Sequence, residues 1–217
     1  MARSKVTVRR ITDAETRELA FEVLNRVYLG EKGWVETPQQ IFKEGDLEND
    51  AVVWFLAERE GRPVGLVRVL FEIPFELYHE YGFQTVDEDL DVEAFVRDNR
   101  IAEIGRFAVV PDERKNIMIA AVLMREAATV TIERGFTHFI TDVFEADPNN
   151  PFDFHERILG FRTVATHDVG ELKIRSKRIT MLVDIREAYE RWRGGRRNWM
   201  LSFIMRGWGE RFSKQLS

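Results

Sequence analysis

No cysteine occurs among the 217 residues. That absence excludes disulfides, thiolate nucleophiles and cysteine-held metals, and it is compatible with a reducing compartment. The four histidines, at positions 79, 138, 155 and 167, are scattered without ligand spacing, so no metal centre is expected. No run of about 18 apolar residues exists, which leaves nothing expected to span a membrane. The first ten residues carry charge with no apolar segment behind them. No secretory signal is read there, and the expected location is cytoplasmic. Helix-turn-helix and zinc-finger patterns are missing too, so no nucleic-acid partner is expected. Neither internal repeats nor low-complexity stretches appear.

What is present is an ordinary soluble composition, 44% hydrophobic, enough for a real core. The length suits one large domain or one domain with an appendage. Net charge is −5, but it is unevenly spread. From Arg191 onward seven basic residues face Glu210 alone, so this end carries +6 and the rest of the chain −11. A basic end on an acidic body suggests an acidic partner, peripheral contact with the inner membrane, or docking onto the chain itself. The expected division is a domain over 1–184 and a basic amphipathic helical tail over 185–217.

Residues 101–110 are β-branched and aromatic enough to form a strand, and Pro111 closes it. Two charges interrupt it. Alternation puts Glu103, Gly105, Phe107 and Val109 on one face and Ile104, Arg106 and Ala108 on the other. Charges on opposite faces cannot neutralise each other, and each needs its own partner if buried. Such an arrangement marks either a functional site or a pair of structural salt bridges, and the residues alone leave both readings open.

Around this strand the chain reads as a mixed α/β sheet. A first strand spans 5–11, and Thr12-Asp13-Ala14-Glu15 has capping-box spacing with Thr12 as the cap. An amphipathic helix follows, with Leu19, Ala20, Val23, Leu24 and Val27 as its stripe. Runs 51–60 and 62–73, joined by Glu60-Gly61-Arg62-Pro63, predict a hairpin whose second strand carries Arg68 among apolar residues. Residues 74–99 form an acidic, aromatic insertion with a short helix at 92–97, read as a lid or wall. A long helix from Ile117 ends at Arg134-Gly135. Then come a strand at 136–144, a short helix at 152–159 stopped by Gly160, and paired strands at 161–166 and 177–184. Helices at 185–192 and 198–212 close the chain. The second turns Trp199, Phe203, Ile204, Trp208 and Phe212 towards one face, as core or as a surface for a partner.

The order of elements, with Val109-Val110-Pro111-Asp112-Glu113-Arg114 before the long helix and Phe154-His155-Glu156-Arg157-Ile158-Leu159-Gly160-Phe161 after it, resembles the GNAT N-acetyltransferase fold. The resemblance covers roughly residues 5–184 and implies a mostly antiparallel central sheet flanked by helices. It also implies a pantetheine donor held at the long helix's N-terminus, an anion site by its physics. Two departures are visible. Ile117 and Ile119 stand where the family's phosphate loop has glycines, and Glu156 stands where a tyrosine often protonates the leaving thiolate. Both fit a side branch. Glu103-Ile104-Gly105-Arg106-Phe107-Ala108, Val64-Gly65-Leu66-Val67-Arg68 and the segment from Val27 to Trp34 resemble acyl-homoserine-lactone synthases and the related N-acyl amino acid synthases. Leu24 and Gly105, in place of an Arg and a Ser, favour the amino acid synthase side.

That resemblance implies an acyl-phosphopantetheine donor, on acyl carrier protein or coenzyme A, and a small amine or amino acid as acceptor. Glu103 would be the general base. Backbone N–H groups of Phe107, Ala108 and Val109 would polarise the acyl carbonyl, with Arg114 and Asn116 at the donor's phosphate. Trp34 would line the acceptor side, while Arg68 and Arg106 would order Asp46, Asp50 or an acceptor carboxylate. His155 or Glu156 would protonate the thiolate. Phe75, Tyr78, Phe83, Phe95 and Trp199 would wall an acyl tunnel. Two alternatives remain: an acetyl-coenzyme A enzyme of the same fold, and a non-catalytic acyl- or membrane-binding module.

Overall fold

The structure, a computed structural model, describes residues 5–86, 88, 90–170, 172, 174, 176–194 and 198–215. The chain divides into two compact units. The first comprises Met1–Phe71 and Ile104–Thr131, the second Glu72–Glu103 and Ile132–Ser217.

In the first unit β1 (Val6–Arg10) leads into helix α1 (Ala14–Leu24). The cap is Asp13, not the expected Thr12. Asp13 Oδ1 accepts from the Thr16 backbone N–H at 2.8 Å and from its hydroxyl at 2.8 Å. A carboxylate at this position also complements the helix dipole. After α1 the chain loosens into a π-helical turn, Asn25–Glu31, a rare form that is frequent at functional sites. The predicted hairpin forms from β2 (Val52–Arg59) and β3 (Arg62–Leu70), antiparallel with Trp54 opposite Arg68. Its turn needs positive φ at Glu60 (53°) and Gly61 (74°), the pairing that matches the twist of the strands. Strand β5 (Ile101–Val109) and helix α3 (Ile117–Glu133) follow in sequence. A Cβ on Gly65 of β3 would lie 2.9 Å from the Ala108 carbonyl oxygen, 3.0 Å from Ile119 and 3.3 Å from Leu123. At Gly65, therefore, β3, β5 and α3 approach too closely for a side chain.

The second unit takes the start of β5 together with β6 (His138–Phe144), β7 (Arg162–His167) and β8 (Arg178–Asp184). Ile101, Ala102 and Glu103 pair in parallel with His138, Phe139 and Ile140. β6–β8 and β7–β8 are antiparallel. The insertion contributes helix α2 (Val92–Asp98) near the expected place and a strand that the sequence reading missed, β4 (Gln84–Thr85), antiparallel to β7. Ile73, Phe75, Phe95 and Val96 pack on a buried cluster of Ile101, Ile140, Val164 and Leu182, so two of the proposed tunnel aromatics cover the sheet's core. The Tyr78 side chain lies outside the described residues. Overall the strands run β1-β2-β3-β5-β6-β8-β7-β4, the mixed and mostly antiparallel arrangement expected.

The tail belongs to the second unit. The first of its two expected helices is α4 (Ile185–Gly194), and the second is divided into α5 (Trp199–Ile204) and α6 (Trp208–Gln215). Gly207 at φ +83° separates the last two. Met200, Ile204, Met205 and Trp208 are buried, Arg211 pairs with Glu133 at 3.1 Å, and Trp199 is 57% exposed. One side of the tail is therefore packed. Arg196 and Arg197 lie outside the described residues. Among the described residues no helix is long and apolar enough to cross a membrane.

Candidate active site

Strand β5 carries the unusual backbone. Arg106 has φ +51° in mid-strand, a left-handed conformation that costs a residue with a Cβ about 1–2 kcal/mol. A single left-handed residue inside a strand turns the chain as a bulge does, re-aiming its neighbours. The expected alternation nonetheless continues across it, with Ile104 and Ala108 buried and Gly105, Phe107 and Val109 half-buried. Glu103 shares a face with Ile101, which belongs to the buried cluster, and Glu103 is half-buried and in register with Ile140.

In the first unit Arg68 is buried on β3, 4% exposed, opposite Trp54. The Trp54 indole N–H donates to Asp46 Oδ2 at 2.9 Å, and its ring stacks on Phe42 with centroids 4.5 Å apart. Asp46 is thus tied to the hairpin through Trp54, while Asp50 is exposed. Trp34 is half-buried, edge-on to Tyr28 at 5.8 Å and with Lys32 over its ring at 4.2 Å.

The loop before α3 is pinned by ion pairs within the first unit. Arg26 pairs with Asp112, Arg59 with Glu113 at 2.7 Å, and Arg114 with Glu31 through both terminal guanidinium nitrogens, Nη1 at 2.7 Å. Arg114 Nε also donates to the Val109 carbonyl at 3.2 Å. Two expected donor residues therefore meet, but the guanidinium expected at the donor's phosphate is engaged by a carboxylate. Asn116 stands at the start of α3, where its carbonyl accepts from the Ile119 N–H at 3.0 Å. Ile117 is 42% exposed and Ile119 fully buried. The place of a glycine is taken by a side chain that fills the core.

Neither expected thiolate acid gains support. His155 is buried between Phe154 and Phe161, with centroids at 5.8 and 5.0 Å. Burial pushes its pKa down to about 4, so the ring is neutral at pH 7. Its Nδ1 finds no hydrogen-bond partner among the described residues. Glu156 is exposed.

Sequence reasoning missed a polar cluster in the second unit. His167, its side chain fully buried, sits with Nε2 3.1 Å from Asp142 Oδ2. Its Nδ1–H donates to the Val169 carbonyl. The Thr180 hydroxyl donates to Asp142 Oδ1 at 2.8 Å. Burial alone would lower the His167 pKa, yet the Asp142 hydrogen bond and charge, with the Val169 carbonyl, raise it. The signal was there. Asp142 is a carboxylate inside an apolar strand, the same feature that singled out Glu103.

A mixed sheet in this strand order, with a long helix after its central strand, is the GNAT fold. The model of the N-acyl amino acid synthase FeeM family matches residues 19–170, and the chain belongs to that family. Among solved structures it is similar to FeeM, an N-acyl amino acid synthase from uncultured soil microbes, at 14% identity. That match has a TM-score of 0.65 and covers 87% of this chain and 94% of the other. The ribosomal-protein-S18-alanine N-acetyltransferase of Escherichia coli matches at 14% identity and TM-score 0.56, covering 83% and 94%. The PaiA N-acetyltransferase of Thermoplasma acidophilum, in complex with coenzyme A, matches at 14% identity and TM-score 0.55, covering 83% and 99%. No curated protein matches the sequence.

Proposed function

We propose that this chain moves a fatty acyl group from the phosphopantetheine thioester of acyl carrier protein to the amine of an amino acid. Glu103 takes a proton from the acceptor's ammonium. The freed amine attacks the thioester carbonyl, whose oxygen accepts backbone N–H bonds along β5 from Phe107 to Val109. A C–N bond forms and the C–S bond breaks. The thiolate leaves, and the second proton lost by nitrogen restores the balance on sulfur by way of water.

The observation that carries the donor assignment is the condition of the loop before α3. Arg114 is engaged by Glu31, and Ile119 is buried against Gly65. Coenzyme A brings a pyrophosphate and a 3′-phosphate that need open cationic and backbone contacts. A carrier-protein donor brings one phosphodiester and asks for fewer. The tail, with Trp199 and Arg206 exposed, is the surface offered to the acidic partner.

The test is mass spectrometry of lipids from a host expressing the wild-type chain or Glu103→Gln. N-acyl amino acids should accumulate with the wild type and fall about 10²–10⁴-fold with a variant lacking the base. Equal accumulation in both, or none above the empty host, contradicts the assignment.

A further inference from the structure

The His167–Asp142–Thr180 cluster lies outside the residues so far given a role, yet strand register places it on the same sheet face as Glu103. Partners across a ladder share a face, as do alternate residues along a strand. Glu103 is in register with Ile140, and Asp142 follows two residues later on β6. Thr180 is opposite Asp142, and Leu182 is opposite Ile140. Ala165 is opposite Thr180, and His167 follows two residues later on β7. The face that buries Ile101, Ile140 and Leu182 thus continues into a polar row of Glu103, Asp142, Thr180 and His167. Strands about 4.8 Å apart and a two-residue advance of about 6.6 Å place the Cβ atoms of Glu103 and Asp142 roughly 8 Å apart. That separation leaves room for one ammonium between two carboxylates.

The cluster is built to hold the Asp142 carboxylate in one position. Each of its oxygens takes one partner, His167 on Oδ2 and Thr180 on Oδ1. Each keeps a second lone pair, and the side chain is 28% exposed while that of His167 is not exposed at all. Both His167 nitrogens face groups that can only accept, a carbonyl and a carboxylate. Against the cost of burial, Asp142 and the Val169 carbonyl raise the ring's pKa, and a proton held there would offset Asp142 and ease the repulsion of two carboxylates on one face. Arg178, opposite His167 on β8, is turned to the Leu172 carbonyl and to the Phe144 ring. Tyr81 and Phe83 of the insertion lie against the imidazole, at 6.1 and 6.2 Å between centroids.

We propose that Asp142 is the second carboxylate of the acceptor site, binding the incoming ammonium beside Glu103, with His167 and Thr180 as its positioning residues. This rests on the reading of Glu103 as the base. It assigns the acceptor's ammonium to this row.

The experiment uses the full chain, a dodecanoyl carrier-protein thioester and an equimolar mixture of the standard amino acids. It reads total N-acyl product and, without acceptor, thioester hydrolysis. Asp142→Asn should raise the apparent KM for the mixture about tenfold or more, leaving the donor KM and acceptor-free hydrolysis within about twofold. Thr180→Val, which removes one hydroxyl and keeps the shape, should shift acceptor KM the same way by a smaller factor and keeps the proposal testable if Asp142→Asn does not fold. Unchanged acceptor KM in the folded variants, or a fall in N-acylation matched by hydrolysis and melting temperature, overturns it. Glu103→Gln is run alongside. If that variant acylates amines at the full rate, the reading of the base fails. If it does not, while Asp142→Asn and Thr180→Val keep acceptor KM, only the present inference fails.

Discussion

At the scale of single residues, two side chains make opposite points about charge. Glu31 closes on Arg114 through both its oxygens, so on the proposed reading it would compete with a donor phosphate for the same guanidinium. Glu31→Gln keeps the shape and removes the charge. Its coenzyme A affinity should rise about tenfold in titration calorimetry, with little change in carrier-protein turnover. An unchanged affinity would show that Glu31 plays no part in donor choice. His155 shows the cost of burying a base. Its pKa is 6.5 when free and about 4 when folded, so between those values the unfolded chain binds a proton that the native state refuses. Stability is full above pH 6.5 and declines as pH falls towards 4, by about 3 kcal/mol in all. His138 is lowered for the same reason, whereas the raised His167 acts the other way. Urea midpoints at pH 7 and pH 5 should separate less in His155→Phe than in the wild type. Equal separation would mean that His155 is not the group responsible.

Elements divide by how local their signals are. The β2–β3 hairpin was legible because Glu60-Gly61-Arg62-Pro63 is a turn in its own right, and α3 because Gly135 at φ +76° stops it. Glu103 and Arg106 stood out as charges in an apolar strand. The left-handed turn at Arg106 did not, since no residue there asks for one. β4 is two residues long and exists only through β7. The Asp142–His167 pair joins positions 25 residues apart that only the β8 register brings together. Gly65 belongs to this second kind, because its need for no side chain comes from Ala108, Ile119 and Leu123. Gly65→Ala should lower stability by about 1–3 kcal/mol, as an added carbon must move backbone. A denaturation curve identical to the wild type would contradict that close approach. Within the tail, Trp208→Ala should cost about 3–5 kcal/mol and Trp199→Ala almost nothing, since one is 4% and the other 57% exposed. Equal costs would mean that α5 and α6 do not pack as described.

At the scale of the whole molecule, fold and family join one account. A GNAT sheet supplies the frame, and the FeeM family supplies the class of reaction. The chain's own departures lie where a coenzyme A enzyme needs glycines and an open arginine. On the proposed reading a long acyl chain would offset those missing contacts, since each buried methylene contributes about 0.8 kcal/mol, so ten or more carbons would outweigh a few phosphate hydrogen bonds. The most direct measurement is kcat/KM for acetyl-coenzyme A set beside acyl carrier protein donors of increasing chain length, with an amino acid acceptor. The account predicts rates that climb with chain length on carrier protein and stay low for acetyl-coenzyme A. Rates that are flat or falling with length, with acetyl-coenzyme A best, would contradict it.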